Sequence, residues 1–204
     1  MKREAEIKEL LIENAIHLIA EGGFEKATTK ELTHYGGDLP NFKMNEVYIY
    51  RFFGSKENLY AAAFIRLDTE LCVAFQNGMR SMSEFEGDSR EKLYTLFLRA
   101  WDFILGNEDR CRCYVRYYYS IYFRETSLVE HRKLFAETVR DMVPLFKDEA
   151  DVCSILHSVF TSLFDFAIRV YNGDLDDSEI NRPHIFNVLY CMMMTYFKDS
   201  TKVS

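Results

Sequence analysis

The chain of 204 residues is poor in the residues that interrupt helices. It contains three prolines and nine glycines, whereas turn-rich sheet proteins depend on both. Leucine, methionine, phenylalanine and glutamate are common, and these residues are typical of helices. Seventeen phenylalanines, thirteen tyrosines and one tryptophan supply bulk for a hydrophobic core. The composition therefore predicts an all-α globular protein.

Long uncharged apolar runs and metal-binding cysteine patterns are also missing. Because no run of 18 uncharged apolar residues occurs and the chain begins with a charged segment, we expect no contact with a membrane and a cytoplasmic location. Five cysteines, an odd number, are typical of reduced thiols. Cys111 and Cys113 are too close together for the usual zinc spacing. We expect neither a metal nor a cofactor.

The chain is acidic, because 25 Lys and Arg stand against 32 Asp and Glu and give a net charge of −7. This balance counts against nucleic-acid binding over the whole surface, although a local basic face can exist on an acidic protein. The sequence has no glycine-rich phosphate loop, no His-Glu-x-x-His motif and no Gly-x-Ser-x-Gly motif. The chain is therefore predicted not to be an enzyme.

The N-terminal part shows the spacing of several short helices. Apolar residues three and four positions apart from Ile7 to Ile19 predict a first helix that ends at Gly22 and Gly23. Thr28 begins a capping-box pattern and a short second helix. A third short helix is predicted from Asn45 to Arg51, and Ser55 is expected to cap a long fourth helix.

The remaining residues predict further helices, over 93–105, about 128–146 with Pro144 near the end, 152–171 and 185–197. The last segment is apolar on nearly every side, and such a helix must be buried on every side. One subunit cannot supply that burial at a chain end. We therefore predict a homodimer joined by segments 152–171 and 185–197, with Met192, Met193 and Tyr196 nearest its axis.

Three segments carry a family resemblance: Ile16 to Phe24, Thr28 to Leu32 and, above all, Tyr48 to Leu59, which reads YIYRFFGSKENL. The last segment matches a Tyr-x-x-Phe-x-Ser-Lys-x-x-Leu pattern. Over about residues 5–65 the sequence resembles the tetracycline-repressor (TetR) family of transcription regulators. The resemblance implies a three-helix helix-turn-helix DNA-binding domain in residues 1–60 and a helical domain for effector binding and dimerisation in residues 61–204.

The resemblance also makes the third predicted helix the one that enters the major groove, where its first residues face base edges. Glutamate accepts a hydrogen bond from cytosine, and asparagine pairs with adenine. Free N–H groups at helix starts, a tyrosine hydroxyl and lysines bind phosphates. The predicted DNA-binding residues are Thr28, Thr29, Lys43, Asn45, Glu46, Val47, Tyr48, Tyr50 and Lys56.

An effector pocket in the second domain is implied in the same way. Aromatic residues on three predicted helix faces suit a small, partly apolar ligand, and the same residues would serve equally well as ordinary core. The predicted ligand-binding residues are Phe97, Trp101, Ile104, Tyr118, Tyr122, Phe160 and Phe164. We expect a cavity bounded by Trp101, Tyr118, Tyr122 and Phe160.

The leading hypothesis is a ligand-responsive repressor that binds double-stranded operator DNA as a homodimer and is released by a small-molecule effector. One alternative is an all-helical dimeric binding protein that has lost DNA binding. The connection Gly36–Met44 is longer than the usual turn, and residues 1–60 hold eight Lys and Arg against ten Asp and Glu. A third possibility is a small enzyme built on a helical bundle.

Overall fold

The computed structural model describes residues 2–35, 44–83 and 88–198. They form helices joined by turns, which confirms the all-α prediction. A π-helical turn spans Phe123–Ser127 and a 3₁₀ turn spans Arg140–Leu145. The α-helices are α1 Lys2–Lys26, α2 Thr29–His34, α3 Val47–Phe53, α4 Lys56–Ser83, α5 Ser89–Leu105, α6 Glu108–Tyr118, α7 Leu128–Thr138, α8 Val152–Tyr171 and α9 Asn181–Met194.

The chain divides into two compact units. Unit 1 comprises Met1–Thr69 and Asp109–His131, and unit 2 comprises Glu70–Glu108 and Arg132–Ser204. Helices α4 and α7 therefore contribute residues to both units. The boundary predicted at residue 60 does not coincide with the division into compact units, and the division of functions that it implies stays a prediction.

Unit 1 is organised around α1, against which α2 and α3 pack. The apolar stripe predicted for α1 is buried, with Leu11, Ala15 and Ile19 fully covered. Gly23 interrupts the helix with φ 74° and ψ −169°, a backbone conformation that is essentially restricted to glycine. The predicted break at Gly22 and Gly23 thus occurs at Gly23, followed by a helical turn to Lys26.

Unit 2 is built from α5, α8 and α9, which pack against one another. Asp88 begins α5 with a complete capping box, because its side chain accepts from the Glu91 N–H while the Glu91 carboxylate accepts from the Asp88 N–H. The bounds predicted for α8 are confirmed. The prediction of one helix over 128–146 is wrong for its second half, because α7 ends at Thr138. Pro144 has no N–H and its ring would meet the Arg140 carbonyl of a continuous helix.

Helix α9 and the turn after it leave apolar side chains exposed in the single chain. Val188 is 49%, Met194 38% and Tyr196 45% exposed. Met193 is 6% exposed, so its predicted position at a dimer axis is wrong: the side chain is already covered by its own subunit. Of the other two residues predicted near the axis, Tyr196 is exposed and Met192 is half-buried. Periodicity alone does not say which face the chain itself covers.

Helix α8 is the one candidate for a membrane span among the described residues. It is 20 residues long with a mean hydropathy of 1.3 over its most apolar window, of which 28% is buried inside the chain. Length and composition alone also select the core helices of soluble proteins. Because α8 packs on α5 and α9, we interpret it as a packing helix.

Candidate functional site

The start of α2 carries the first two predicted DNA-binding residues. Thr28 is the exposed N-cap, and its Oγ1 accepts a hydrogen bond from the Glu31 N–H at 3.2 Å. Thr29, the first residue of the helix, is half-buried. The predicted cap is therefore present, and it fixes the direction in which the free N–H groups of the first turn point.

A buried asparagine anchors the other end of α2. Asn14 of α1 is 2% exposed, and its Nδ2 donates to the carbonyl oxygens of Leu32 at 2.9 Å and Tyr35 at 2.8 Å. These carbonyls belong to the last turn and C-cap of α2, where intrahelical partners run out. The sequence prediction missed this residue. Its signal was a polar side chain in line with the apolar stripe of Leu11 and Leu18.

Helix α3 presents one face to solvent and buries the other. Val47 is 66% and Tyr50 54% exposed, whereas Ile49 is fully buried. Glu46, at the N-cap position, is exposed as well. The side chains that a DNA groove would meet are thus held outward by an apolar anchor on the opposite side of a two-turn helix.

Two other predicted residues hold the start of α3. Asn45 Oδ1 accepts a hydrogen bond from the Val47 N–H at 3.1 Å. The side chain thus bonds to the helix start, although the N-cap is Glu46 and not the predicted Asn45. Tyr48 is half-buried, and its ring lies 5.8 Å from that of Phe52. The Tyr48 side chain is therefore less accessible for a DNA contact than those of Val47 and Tyr50.

The start of α4 is capped as the sequence predicted. Ser55 Oγ accepts from the Asn58 N–H at 3.1 Å, and Asn58 Nδ2 donates to the Phe53 carbonyl at 2.8 Å. Lys56 Nζ lies 5.7 Å from the centre of the Tyr60 ring. Burial raises the pKa of Tyr60 far above its ordinary value, so the hydroxyl stays neutral and donates to the Ala27 carbonyl.

The charges near α3 are mixed in sign. Arg51 donates to Glu4 of α1 at 2.7 Å, which offsets one of the few positive charges on this surface. Lys30 is exposed. Lys43, the remaining predicted DNA contact, lies outside the described residues. The described residues beside α3 therefore carry charges of both signs.

Unit 2 contains a cavity of about 60 Å³ between α5, α8 and α9, with α4 and the 3₁₀ turn completing its wall. It is lined by thirteen side chains, all hydrocarbon or thioether. Two of the predicted ligand-binding residues, Phe97 and Phe160, are among them. Ile104 and Phe164 are buried in the same unit but do not line this cavity.

Trp101 is placed next to the cavity wall rather than in it. The side chain is fully buried and its ring stacks on Phe97 at 5.8 Å. Its Nε1 donates to Asp177 Oδ1 at 2.9 Å, and Arg182 binds the same carboxylate through two bonds of 2.7 Å. The residue is thus a fixed part of unit 2.

Tyr118 and Tyr122 belong to unit 1, so the four residues predicted to bound one cavity do not share a compact unit. The Tyr122 ring packs against Phe24 and Tyr60, and the Tyr118 ring packs against Phe123 and others. Both tyrosines are parts of an aromatic cluster inside unit 1.

That cluster surrounds a buried ionisable pair which the sequence did not reveal. His131 Nδ1 and Asp68 Oδ2 are 3.0 Å apart, with side chains 5% and 2% exposed. Tyr114 donates its hydroxyl to Asp68 Oδ1 at 3.2 Å. The two residues are 63 positions apart in the chain, and no local motif marks either of them.

Metal-binding groups are absent from the described part of the chain, where no cluster of three or more His, Cys, Asp or Glu is suitably placed. Cys111 and Cys113 are both buried. Burial raises the pKa of the Cys113 thiol well above its ordinary value, which disfavours the thiolate that metals bind.

Solved structures with a similar fold cover most of the chain. A TetR-family transcription regulator from Marinobacter aquaeolei VT8 superposes with a TM-score of 0.73 at 15% identity, over 94% of this chain and 98% of that one. The chain has the fold of the TetR-family regulators. The resemblance predicted from Tyr48 to Leu59 is confirmed at the level of the fold.

Other structures with this fold are similar over most of their length. A TetR-like regulator from Rhodococcus sp. RHA1 has a TM-score of 0.57 at 14% identity, over 91% of this chain and 92% of that one. The fatty acid degradation regulator FadR from Bacillus halodurans has a TM-score of 0.59 at 18% identity, over 89% and 93%. No protein-family model and no curated protein sequence matches the chain.

Proposed function

We propose that the protein is a ligand-responsive transcription repressor that binds operator DNA as a homodimer and is released by a small molecule. The observation that carries this proposal is the exposed face of α3 in a chain with the TetR-regulator fold over 94% of its length. The proposal makes the protein a cytoplasmic regulator without catalytic activity.

On the DNA side, α3 enters the major groove with Glu46, Val47 and Tyr50 towards the bases and backbone. Glu46 accepts from cytosine, and Val47 offers an apolar contact to a thymine methyl group. The half-buried Tyr48 and the capping Asn45 act mainly by orienting this face.

Phosphate contacts come from the starts of two helices. The first N–H groups of α2, with Thr28 and Thr29, and those of α4, with Lys56, are oriented by the caps described above. Lys43 adds a further positive charge in the connection before α3. Such contacts position the protein without reading sequence.

On the ligand side, the cavity of unit 2 is the proposed effector site. One protein with the same fold is a regulator of fatty acid degradation, which is compatible with an apolar site. Helix α4 belongs to both units, and it would carry a change at the cavity to the spacing of the two recognition helices.

The homodimer joins α8 and α9 of two subunits. The proposal is supported by Val188 and Met194, which are exposed on α9, and by Tyr196, which is exposed in the turn after it. The low burial of the apolar α8 supports it as well. An obligate interface of this kind buries on the order of 2,000 Å². Val188→Glu should give monomers in analytical ultracentrifugation, and Val129→Glu, the same change at an 82% exposed position of α7, is the matched control. A wild-type protein that sediments as a monomer at micromolar concentration would contradict the dimer.

The test of DNA binding uses the purified full chain and DNA from its own upstream region, over a series of salt concentrations. Lys56→Ala should weaken binding to every sequence alike. It should also reduce the slope of log affinity against log salt concentration by about one. Glu46→Gln should instead change the preferred sequence. Lys133→Ala, an exposed lysine of α7, is the matched control. Equal behaviour of Lys56→Ala and Lys133→Ala would refute the docking mode.

The alternative of a dimeric binding protein without DNA affinity is favoured by one observation, the ion pair of Arg51 with Glu4, which neutralises one of the positive charges beside α3. The same titration separates the two functions. A chain that forms dimers and binds ligand, yet binds no duplex DNA at low salt, would establish the alternative.

A further inference from the structure

We infer that the cavity of unit 2 binds a flexible alkyl group of an uncharged ligand. The inference deepens the proposed function, because this ligand would be the effector. Ligand binding is measured separately from DNA binding, so that the failure of this inference and that of the repressor proposal can be told apart.

The chemistry of the lining excludes a charged occupant. All thirteen lining side chains are Leu, Val, Ala, Phe or Met, so none carries a charge or a strong hydrogen-bonding group. An ionised carboxylate or amine placed there would lose its water without gaining a partner. An alkyl group loses only unfavourable contact with water.

The size of the cavity favours a chain over a ring. An apolar cavity of about 150 Å³ holds benzene, and this one measures about 60 Å³. A rigid ring would therefore need the wall to move apart at once, whereas methylene groups can enter in sequence. Met142 and Met193 line the wall, and methionine side chains readily change conformation. The cavity can therefore extend to accommodate the full length of an alkyl group.

The protein carries its own reporter of occupancy. Trp101 is the single tryptophan of the sequence, it is fully buried, and it stacks on Phe97, which lines the cavity. A ligand that displaces Phe97 slightly changes the surroundings of the indole. Intrinsic fluorescence therefore follows binding at this position.

The experiment titrates the full chain at pH 7 with 1-hexanol, hexanoate and benzene, and follows Trp101 fluorescence and calorimetric heat. We expect saturable binding of 1-hexanol, with hexanoate and benzene each about tenfold weaker or more. Hexanoate binding as tightly as 1-hexanol would overturn the uncharged ligand, and benzene binding as tightly would overturn the alkyl group. No binding of any of the three would overturn the site.

Two substitutions test the location. Ala100→Leu and Val159→Phe fill the cavity from α5 and α8 and should each weaken 1-hexanol binding about tenfold, in variants shown by circular dichroism to be folded. Ala136→Leu makes the same change as the first at an exposed position of α7 and should bind like the wild type. Unchanged affinity in either folded cavity variant overturns the location. A wild-type protein that binds operator DNA but none of the three ligands would refute this inference and leave the repressor proposal standing.

Discussion

The two compact units are held together in different ways. Inside unit 1, buried polar groups meet specific partners: Asn14 binds two carbonyls at the end of α2, and Asp68 meets His131 and Tyr114. Around the cavity of unit 2 the side chains are apolar and leave space between them. Directional contacts fix one geometry, whereas apolar walls accept occupants of several shapes. The difference is consistent with the proposed function, in which unit 1 presents α3 to DNA and unit 2 admits a ligand.

The largest effect is expected at the buried pair of unit 1. His131→Leu removes the imidazole and leaves the Asp68 carboxylate inside the aromatic cluster with Tyr114, which should lower the free energy of unfolding by about 3–5 kcal/mol. Urea denaturation followed by Trp101 fluorescence and circular dichroism measures the loss. His184→Leu, at an exposed position of α9, is the control. Similar losses in both variants would show that the pair does not hold unit 1.

This pair also shows where sequence reasoning stops. The caps at Thr28 and Ser55 were predictable because each acts on an N–H three residues away, within one local pattern. The partnership of Asp68 with His131 joins α4 to α7 across 63 positions. No local sequence pattern predicts this contact, because a histidine among polar residues is usually exposed rather than buried.

The candidate ligand site was predictable in part, for a similar reason. Helical spacing identified the inward faces that include Phe97 and Phe160, and both line the cavity. Spacing does not say whether facing side chains fill the space between them, so it could not separate the lining from the solid core around Trp101 and Ile104. It also grouped Tyr118 and Tyr122 with them, although these belong to unit 1.

A smaller effect is expected where a single side chain anchors α2. Asn14→Leu keeps the size of the side chain but leaves the carbonyls of Leu32 and Tyr35 without this donor, at a cost of about 1–3 kcal/mol. Because α2 then loses its fixed end, operator affinity should fall even where the protein remains folded. Thermal unfolding and DNA titration measure the two effects. Asn77→Leu, at an exposed position of α4, is the control. Equal DNA affinity in the two variants would show that Asn14 does not position α2 for DNA binding.

The smallest effect concerns the polar rim of unit 2, where the contrast with unit 1 is least. Hydrogen bonds from Arg182, and to a smaller extent from Trp101, lower the pKa of Asp177 below its ordinary value of 3.8. A carboxyl with a lowered pKa in the folded state stabilises the protein above its unfolded pKa, and this contribution is lost as the pH falls through the folded pKa.

Partly exposed ion pairs of this kind contribute about 0.5–1 kcal/mol. The wild type should therefore exceed Asp177→Asn in stability by that amount at pH 6, and the difference should shrink below pH 3.8. Urea midpoints measured by circular dichroism between these conditions give the difference, since Trp101 fluorescence itself responds to the substitution. Asp141→Asn, at an exposed position, should track the wild type throughout. A difference that is independent of pH would mean that Asp177 acts on Trp101 through packing and not through its charge.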